Sequence, residues 1–361
     1  MSEHPTHSEM PSPAAPTLRA LGFSTFFRSQ CPADREDLLP ARVLAVERTG
    51  VLLAGPGVKG QLPIPGSWFD APPEERPTVG DWVLVARDGP RLVRLLERSS
   101  RFVRVAPGGD ELQLIAANVD VVLLVSACNQ EFNLARLERY LALVLDAGAT
   151  PVVVLTKRDL AEDPEAFVQQ AARLRPGLAV ELVNALDAED LAGVRAWCTP
   201  GSTVALLGSS GVGKSTLLNT LAGAALQQTG AARDDDDKGR HTTTRRSLHR
   251  IDGDCWILDA PGMRELGLVG VEAGLEVAFD DIAALASACR FRDCSHHDEP
   301  GCAVRAAVER GELEARRLTS FLKLQREDRH ARESIAERRA RARRFDRVVR
   351  HASAVRDKRR Q

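Results

Sequence analysis

Two nucleotide-binding signals occur in this sequence in an unusual order, and that order constrains the fold more than any other feature. Gly208-Ser-Ser-Gly-Val-Gly-Lys-Ser215 follows the apolar run Val204–Leu207 and has the spacing of a phosphate-binding loop. The run Thr156-Lys-Arg-Asp159, a set suited to reading a guanine edge, lies upstream, after the strand-like segment Pro151–Leu155. Most nucleotide-binding domains that carry both signals have the phosphate loop first. The inverted order predicts a circularly permuted domain.

The phosphate-binding loop is rich in glycine because backbone N–H groups must converge on phosphate oxygens without obstruction by side chains. We assign Lys214 a catalytic role, in which it neutralises charge on the β- and γ-phosphates. We assign Ser215 to hold Mg²⁺. Thr216 opens a helix whose N-terminal dipole faces the phosphates. The predicted contacts of this loop are Gly208, Ser209, Ser210, Gly211, Val212, Gly213, Lys214, Ser215 and Thr216.

The upstream motif is suited to selecting the base. The carboxylate of Asp159 would accept hydrogen bonds from guanine N1–H and N2–H₂, and the stem of Lys157 would pack on the ring. Adenine cannot satisfy this edge, so the motif favours GTP over ATP. Thr156 stands where such motifs usually have Asn, which predicts weakened guanine selectivity. Asn184 and Ala185 are expected to contact the guanine oxygen through the backbone.

Two further segments are expected to sense the terminal phosphate. Asp259, in Asp-Ala-Pro-Gly262 after a short apolar strand, would reach Mg²⁺ through water, and Gly262 would donate its N–H to the γ-phosphate. In the preceding loop we assign Thr243 to the Mg²⁺ shell, and Thr242 and Thr244 remain open as alternatives. Three consecutive threonines are equally typical of an exposed strand, so this assignment depends on the flanking motifs.

The residue that orients the attacking water is not in the usual place. Met263 follows the Asp-x-Pro-Gly turn, where many GTPases have Gln, and a thioether cannot polarise water. We therefore expect slow intrinsic hydrolysis and assign the orientation of water to His241 in the preceding loop. An exposed loop histidine without a catalytic part is the alternative interpretation.

A cluster of metal-ligating residues lies near the C-terminal end of the sequence. Cys289, Cys294, His296 and Cys302 offer three thiolates and one imidazole within fourteen residues. A closed set of this kind is suited to one structural Zn²⁺ per chain and leaves no open position for catalysis. His297 is the alternative to His296, and unrelated buried cysteines are the alternative to a metal site.

Composition limits the partners and the compartment. The formal net charge of −1 means that any attraction to nucleic acid must be local. Residues 326–361 contain fourteen Lys and Arg against six Asp and Glu, which favours RNA binding over a merely solvated, salt-bridged helix. Seven unevenly spread cysteines argue against a disulfide framework and for a reducing cytoplasm. No apolar run has membrane-spanning length and no signal-peptide pattern is evident.

The chain divides into four predicted regions within a multidomain α/β fold. Residues 1–37 are expected to form a disordered extension and residues 38–105 an OB-type β-barrel. Residues 106–276 alternate strands and helices and predict a permuted GTPase domain with a mostly parallel sheet. Residues 277–361 are expected to form a helical zinc-binding domain with a basic tail. In the barrel, Trp82 is interpreted as a core anchor, whereas Trp68 and Phe69 are either core residues or stacking partners for a base.

The sequence resembles the bacterial RsgA (YjeQ-type) GTPases of small ribosomal subunit biogenesis over nearly its whole length after the N-terminal extension. The resemblance is carried by the motifs above and by Val79-Gly-Asp-Trp-Val83, Ala117-Asn-Val-Asp120 and Asn133–Tyr140. It implies an OB barrel, a permuted GTPase domain and a zinc domain that bind GTP or GDP, Mg²⁺ and Zn²⁺. It also implies a cytoplasmic monomer, not bound to membranes, that acts late in maturation of the 30S subunit on 16S rRNA, with 30S-stimulated hydrolysis. A non-catalytic nucleotide-gated RNA-binding module and a P-loop ATPase or kinase are the alternatives.

Overall fold

The N-terminal segment is folded against the rest of the chain. The structure, a computed structural model, describes residues 16–106, 112–223, 246–259, 263 and 266–333. After the buried Leu21, the short helix α1 (Thr25–Arg28) follows Phe23, and the rings of Phe23 and Phe27 lie 4.7 and 5.8 Å from the ring of Trp82. The prediction of disorder is therefore wrong for residues 16–37, because these apolar side chains bury Trp82, the predicted core anchor, completely.

Five antiparallel strands follow in the spatial order β3-β2-β1-β4-β5, the connectivity of a partly open Greek-key barrel of the OB type. Their inward side chains, such as Val43, Leu53 and Val83, form a separate small core. Along β3, the buried Val58 and the partly buried Gly60 and Leu62 alternate with the exposed Lys59 and Gln61. The strands are β1 (Leu38–Glu47), β2 (Gly50–Gly55), β3 (Val58–Leu62), β4 (Trp82–Ala86) and β5 (Leu92–Leu95).

A hairpin of β6 (Arg101–Val105) and β7 (Leu112–Ala117) joins the barrel to the next domain. The domain boundary that we placed between residues 105 and 106 falls inside this hairpin. Ala117, at the end of β7, donates its backbone N–H to the carbonyl of Val79 in the barrel at 3.0 Å. The hairpin is therefore a connection shared by both units.

The central domain is a mostly parallel sheet in the order β10-β9-β8-β11-β13-β12, in which only β12 is antiparallel to its neighbour. The valine- and leucine-rich strands are buried on both faces, as parallel strands between two helical layers must be. The elements are β8 (Val121–Ala127), α2 (Leu134–Asp146), β9 (Thr150–Thr156), α3 (Pro164–Ala172), β10 (Ala179–Leu182), α4 (Ala192–Ala196), β11 (Thr203–Leu207), α5 (Lys214–Ala222), β12 (Ser247–Arg250) and β13 (Trp256–Asp259).

Successive side chains along the central strands pack alternately into two separate apolar layers. On β8, Val122 and Leu124 face the layer that contains α2, whereas Leu123 and Val125 face the layer that contains Leu217 of α5. Strand periodicity of two produces this division, because successive side chains point to opposite faces. Helices cover both layers. The loops therefore lie at the sheet edge where the strands end.

The C-terminal region is helical and is fastened to α2. It comprises α6 (Glu272–Ala278), α7 (Asp280–Ala286), α8 (Ala303–Glu309) and a long helix α9, described over residues 315–333. A Cβ at Gly274 would lie 2.2 Å from the carbonyl oxygen of Ala142, so only glycine permits this approach of α6 to α2. Arg317 of α9 pairs with Asp281 at 2.5 Å and with the buried Glu138 of α2 at 3.4 Å.

Barrel and central sheet are joined directly. Ala45 of β1 pairs with Ser247 of β12, which makes one continuous sheet of eleven strands. Beside this contact the buried Arg42 donates to the carbonyls of Leu21 and Asn118 and to Oγ1 of Thr203. Burial lowers the pKa of Arg42 to about 10, so the guanidinium stays charged at neutral pH. In the described part of the chain, no helix has the length and apolar character needed to cross a bilayer.

Candidate nucleotide site and metal centre

The phosphate-binding loop leaves β11 and enters α5, as the sequence predicts for such a loop. Gly208 is required by close approach, since a Cβ there would lie 2.3 Å from the carbonyl oxygen of Val125 on β8. Gly211 and Gly213 have φ of +77° and +91°, a region that favours glycine. The ammonium of Lys214 is hydrogen bonded to the carbonyl of Ser209, within the same loop. The loop therefore curls around its own lysine.

Thr156 connects the two predicted nucleotide loops. It ends β9, is fully buried, and donates its hydroxyl to the carbonyl of Val212 at 2.6 Å; the carbonyl of Ser126 lies 3.2 Å away. The hydroxyl of Thr156 therefore joins the end of β9, which carries the base-reading loop, to the phosphate loop. The contact of Thr156 with the nucleotide stays a prediction.

The base-reading loop itself is turned outward by an unusual backbone. Lys157 has φ of +59° and ψ of 35°, the left-handed conformation, which is rare for a residue with a side chain. Asp159 follows in a short 3-10 turn and is exposed. The turn places the Lys157 and Asp159 side chains beyond the carboxyl end of β9, the edge at which ligands bind to open parallel sheets.

Three residues that the sequence did not single out fix the loop of Asn184 and Ala185. Asp190 accepts the backbone N–H of Asn184 at 2.5 Å and pairs with Arg158 at 3.0 Å. Thr220 of α5 donates its hydroxyl to the carbonyl of Ala185 at 2.8 Å. This loop is thus tied both to the base-reading motif and to the helix of the phosphate loop. No local motif marks Asp190 or Thr220, because Arg158 and Ala185, which they contact, are distant in sequence.

The segments assigned to the terminal phosphate are described only in part. Asp259 ends β13 next to β11, so its carboxylate lies at the same sheet edge as the phosphate loop. Met263 is 2 % exposed and packs in the main apolar core, where it cannot orient water. His241, Thr242, Thr243, Thr244 and Gly262 lie outside the described residues, as does the basic tail beyond residue 333.

The four predicted zinc ligands converge in the C-terminal region. Their ligand atoms lie within 4.8 Å of one another. Nδ1 of His296 is 3.7 Å from Sγ of Cys289 and 3.5 Å from Sγ of Cys302, and these two sulfurs are 4.0 Å apart. A tetrahedral Zn²⁺ with thiolate and imidazole ligands requires separations of about 3.6 to 3.8 Å. The set therefore fits a closed structural zinc site.

Local geometry selects His296 over His297 as the fourth ligand. His296 is buried and has φ of +61°, whereas His297 is exposed and its Nδ1 lies 2.9 Å from the carbonyl of Ser295. Burial acts to raise the pKa of the Cys289 thiol, but N–H groups at the start of α8 donate to its sulfur, and the pKa is lowered on balance. Burial lowers the pKa of His296, which keeps the imidazole neutral. Both shifts favour the protonation states that bind metal, whereas burial raises the pKa of the Cys294 thiol to about 11.

Glu299 organises the turn between these ligands. Its carboxylate accepts the backbone N–H groups of Ser295 at 2.9 Å and of His297 at 3.1 Å, together with the hydroxyl of Ser295. These hydrogen bonds lower the pKa of Glu299 to about 2. The carboxylate therefore holds the main chain on both sides of His296 in place, as outer groups around metal ligands commonly do.

A base-reading loop that precedes a phosphate loop, with both at one edge of a mostly parallel sheet, defines a circularly permuted P-loop GTPase. The family model for the RsgA GTPase matches residues 95–269. Together with relatives that are 47% and 48% identical over most of the chain, this match shows that the chain belongs to the RsgA GTPase family.

Proteins of this family are similar to the chain over most of its length. The small ribosomal subunit biogenesis GTPase RsgA 2 of Vibrio parahaemolyticus is 47% identical over 346 residues, which cover 95% of this chain and 95% of the relative. The corresponding GTPase RsgA of Mesorhizobium japonicum is 48% identical over 320 residues, 88% of this chain and 91% of the relative.

Two solved structures share the fold. YjeQ from Thermotoga maritima superimposes with a TM-score of 0.61 at 24% identity and covers 80% of this chain and 97% of its own. YloQ, described as a circularly permuted GTPase, gives a TM-score of 0.57 at 25% identity and covers 86% of this chain and 98% of its own. The predicted class of fold is thereby confirmed.

Proposed function

We propose that this protein is a cytoplasmic GTP hydrolase of small ribosomal subunit biogenesis, which binds the 30S subunit through 16S rRNA late in maturation and turns over faster when bound. The names of its relatives support the biogenesis part. The observation that carries the GTPase part is the hydrogen bond from Thr156 to Val212, which joins the base-reading and phosphate loops at the edge where the parallel strands β9 and β11 end.

In this proposal each residue at the edge has one task. Asp159 reads the guanine edge, and the backbone of Asn184 and Ala185 completes the base pocket. Lys214 offsets phosphate charge, while Ser215, Asp259 and Thr243 hold Mg²⁺. When bound, Mg²⁺ supplies neutralisation of the charge between the β- and γ-phosphates.

Hydrolysis needs a group that orients water, and Met263 is buried in the core. We assign that task to His241, as the sequence analysis does. A histidine in a loop must be brought into position, so basal turnover is expected to be slow. Binding to the subunit would then accelerate turnover by fixing this loop.

The connections of the sheet support coupling between the nucleotide and the flanking domains. The chain passes from Asp259 to α6, which packs closely on α2, and β12 pairs directly with β1 of the barrel. A conformational change caused by loss of the γ-phosphate would thus be transmitted to both the barrel and the C-terminal region, the two units that we expect to bind rRNA.

The test is GTP turnover with and without purified 30S subunits, with ATP as the control substrate. We expect slow basal hydrolysis that rises severalfold only with GTP and 30S subunits. Lys214→Ala should abolish nucleotide binding and with it nucleotide-dependent subunit binding; Lys59→Ala of the barrel is the control in the nucleotide titration alone. His241→Ala should remove stimulation and leave nucleotide affinity intact.

The other outcomes identify the alternatives. GTP-dependent subunit binding without stimulated turnover would favour a non-catalytic, nucleotide-gated RNA-binding module. Equal use of ATP would favour a P-loop ATPase or kinase. Removal of residues 326–361 should weaken subunit binding and flatten its salt dependence, and an unchanged slope would show that the tail does not contact phosphates.

A further inference from the structure

An exposed aromatic ring on the barrel is held in place by an arginine. Phe69 ends a 3-10 turn (Gly66–Phe69) and is 52% exposed. The guanidinium of Arg76 lies over this ring, 5.6 Å from its centroid. Arg76 is itself fixed, because it donates to the carbonyls of Ala71 at 3.0 Å and of Phe69 at 2.9 Å. The ring and the cation thus form one preassembled unit.

The loop that carries this unit is rigid. Residues 63–77 include five prolines, which restrict the backbone before any partner binds. Arg98 donates to the carbonyls of Arg76 at 2.7 Å and of Glu74 at 2.9 Å. The same guanidinium pairs with the buried Asp81 at 2.7 Å, which anchors the loop to the barrel. A ligand that stacked on Phe69 would therefore lose little conformational entropy, because the loop is already ordered before binding.

The neighbouring ring shows that exposure of Phe69 is not forced by the turn. Trp68 is partly buried and packs on the barrel core, so the turn directs one aromatic inward and the next outward. The sequence left both rings open between core and stacking. The structure separates them, and only Phe69 keeps its ring accessible.

We propose that Phe69, backed by Arg76, is a stacking platform for one unstacked base of RNA. The inference rests on the proposed function, under which that RNA is the rRNA of the small subunit. An aromatic face with a cation on its other side is suited to the π-face of any base. Asp70 and Glu75, which follow Phe69 and precede Arg76 in the sequence, are both exposed, so a phosphate group is disfavoured here and the contact is with the base alone.

The test compares the affinity of three variants for 30S subunits, with a non-hydrolysable GTP analogue, over a range of salt concentrations. One stacked base contributes about 1–3 kcal/mol, so Phe69→Ala should weaken binding roughly 5- to 150-fold. The dependence of affinity on salt should keep its slope, because no phosphate contact is lost. Phe69→Trp should restore binding. Phe26→Ala is the matched control, since its exposed ring packs edge-on against Phe27.

The outcomes separate this proposal from the proposed function. Failure of the wild-type protein to bind 30S subunits would refute the proposed function itself. Wild-type binding with Phe69→Ala within twofold of it, or with an equal loss for Phe26→Ala, would refute only the platform. Ultraviolet crosslinking of the complex should join the peptide that contains Phe69 to rRNA. A crosslink to a ribosomal protein instead would overturn the assignment of RNA.

Discussion

The hydroxyl of Thr156 is the smallest group whose removal should uncouple the two nucleotide loops. Thr156→Val keeps the shape of the side chain and removes the hydrogen bond to the Val212 carbonyl. Loss of a buried partner of this kind costs about 1–3 kcal/mol. Because the lost contact holds the phosphate loop in place, we expect the Kd for GDP to rise roughly 5- to 150-fold.

The effect should be confined to affinity. Asp159 reads the base in our proposal, so the preference for GDP over ADP should stay unchanged in Thr156→Val. Thr156→Ser keeps the hydroxyl and should bind GDP like the wild-type protein, at a stability cost of about 1 kcal/mol for the lost methyl group. Titration of a fluorescent guanine nucleotide, with ADP as competitor, measures both quantities.

A matched control lies on the same strand. Thr150 begins β9, at the end away from the phosphate loop, and its side chain is exposed. Thr150→Val therefore removes the same hydroxyl without touching either nucleotide loop. If Thr156→Val and Thr150→Val bind GDP equally well, Thr156 does not organise the site and the reasoning fails.

Three further predictions concern other parts of the fold. Asp190→Asn should raise the Kd for GDP and GTP together by a few fold, since its carboxylate joins the two loops around the base; unchanged titrations would contradict this. Phe27→Ala should lower the free energy of unfolding in urea by about 3–5 kcal/mol. Phe26→Ala, at an exposed ring, should have a much smaller effect, and equal losses would show that the N-terminal segment does not pack as described. Cys302→Ser should reduce bound zinc, measured by metal analysis, and lower the Tm, whereas Cys198→Ser outside the cluster should leave zinc content unchanged.

Patterns that arise from local physics predicted much of the fold. The alternation of strands and helices predicted the mostly parallel sheet, and the strand-like segment Pro151–Leu155 lies in the buried strand β9. The spacing of glycines predicted a phosphate loop between a strand and a helix, and the structure has that arrangement at Gly208. These features depend on neighbours in sequence, so a pattern can reveal them.

The features that the sequence did not reveal depend on distant partners. In the sequence, Thr156 is interpreted as a weak substitute for Asn. The structure adds that its hydroxyl donates to the carbonyl of Val212. The sequence predicts disorder for the segment from residue 16 to residue 37, because residues 1–37 mix Pro, Ser, His and charged residues with few apolar ones. Phe23 and Phe27 nevertheless pack on Trp82, which is distant in sequence. Asp190 has no motif, because its partners Asn184 and Arg158 come together only through the turn of the chain.

The single pair between Ala45 and Ser247 has a consequence for how the protein can be divided. Strand β12 is the outer strand of the central sheet, and β1 is what covers it. A fragment that began after the barrel would lose this pair and leave the edge of β12 uncovered at Ser247. Bare edges of this kind recruit further strands, so we expect such a fragment to self-associate more readily than the full chain.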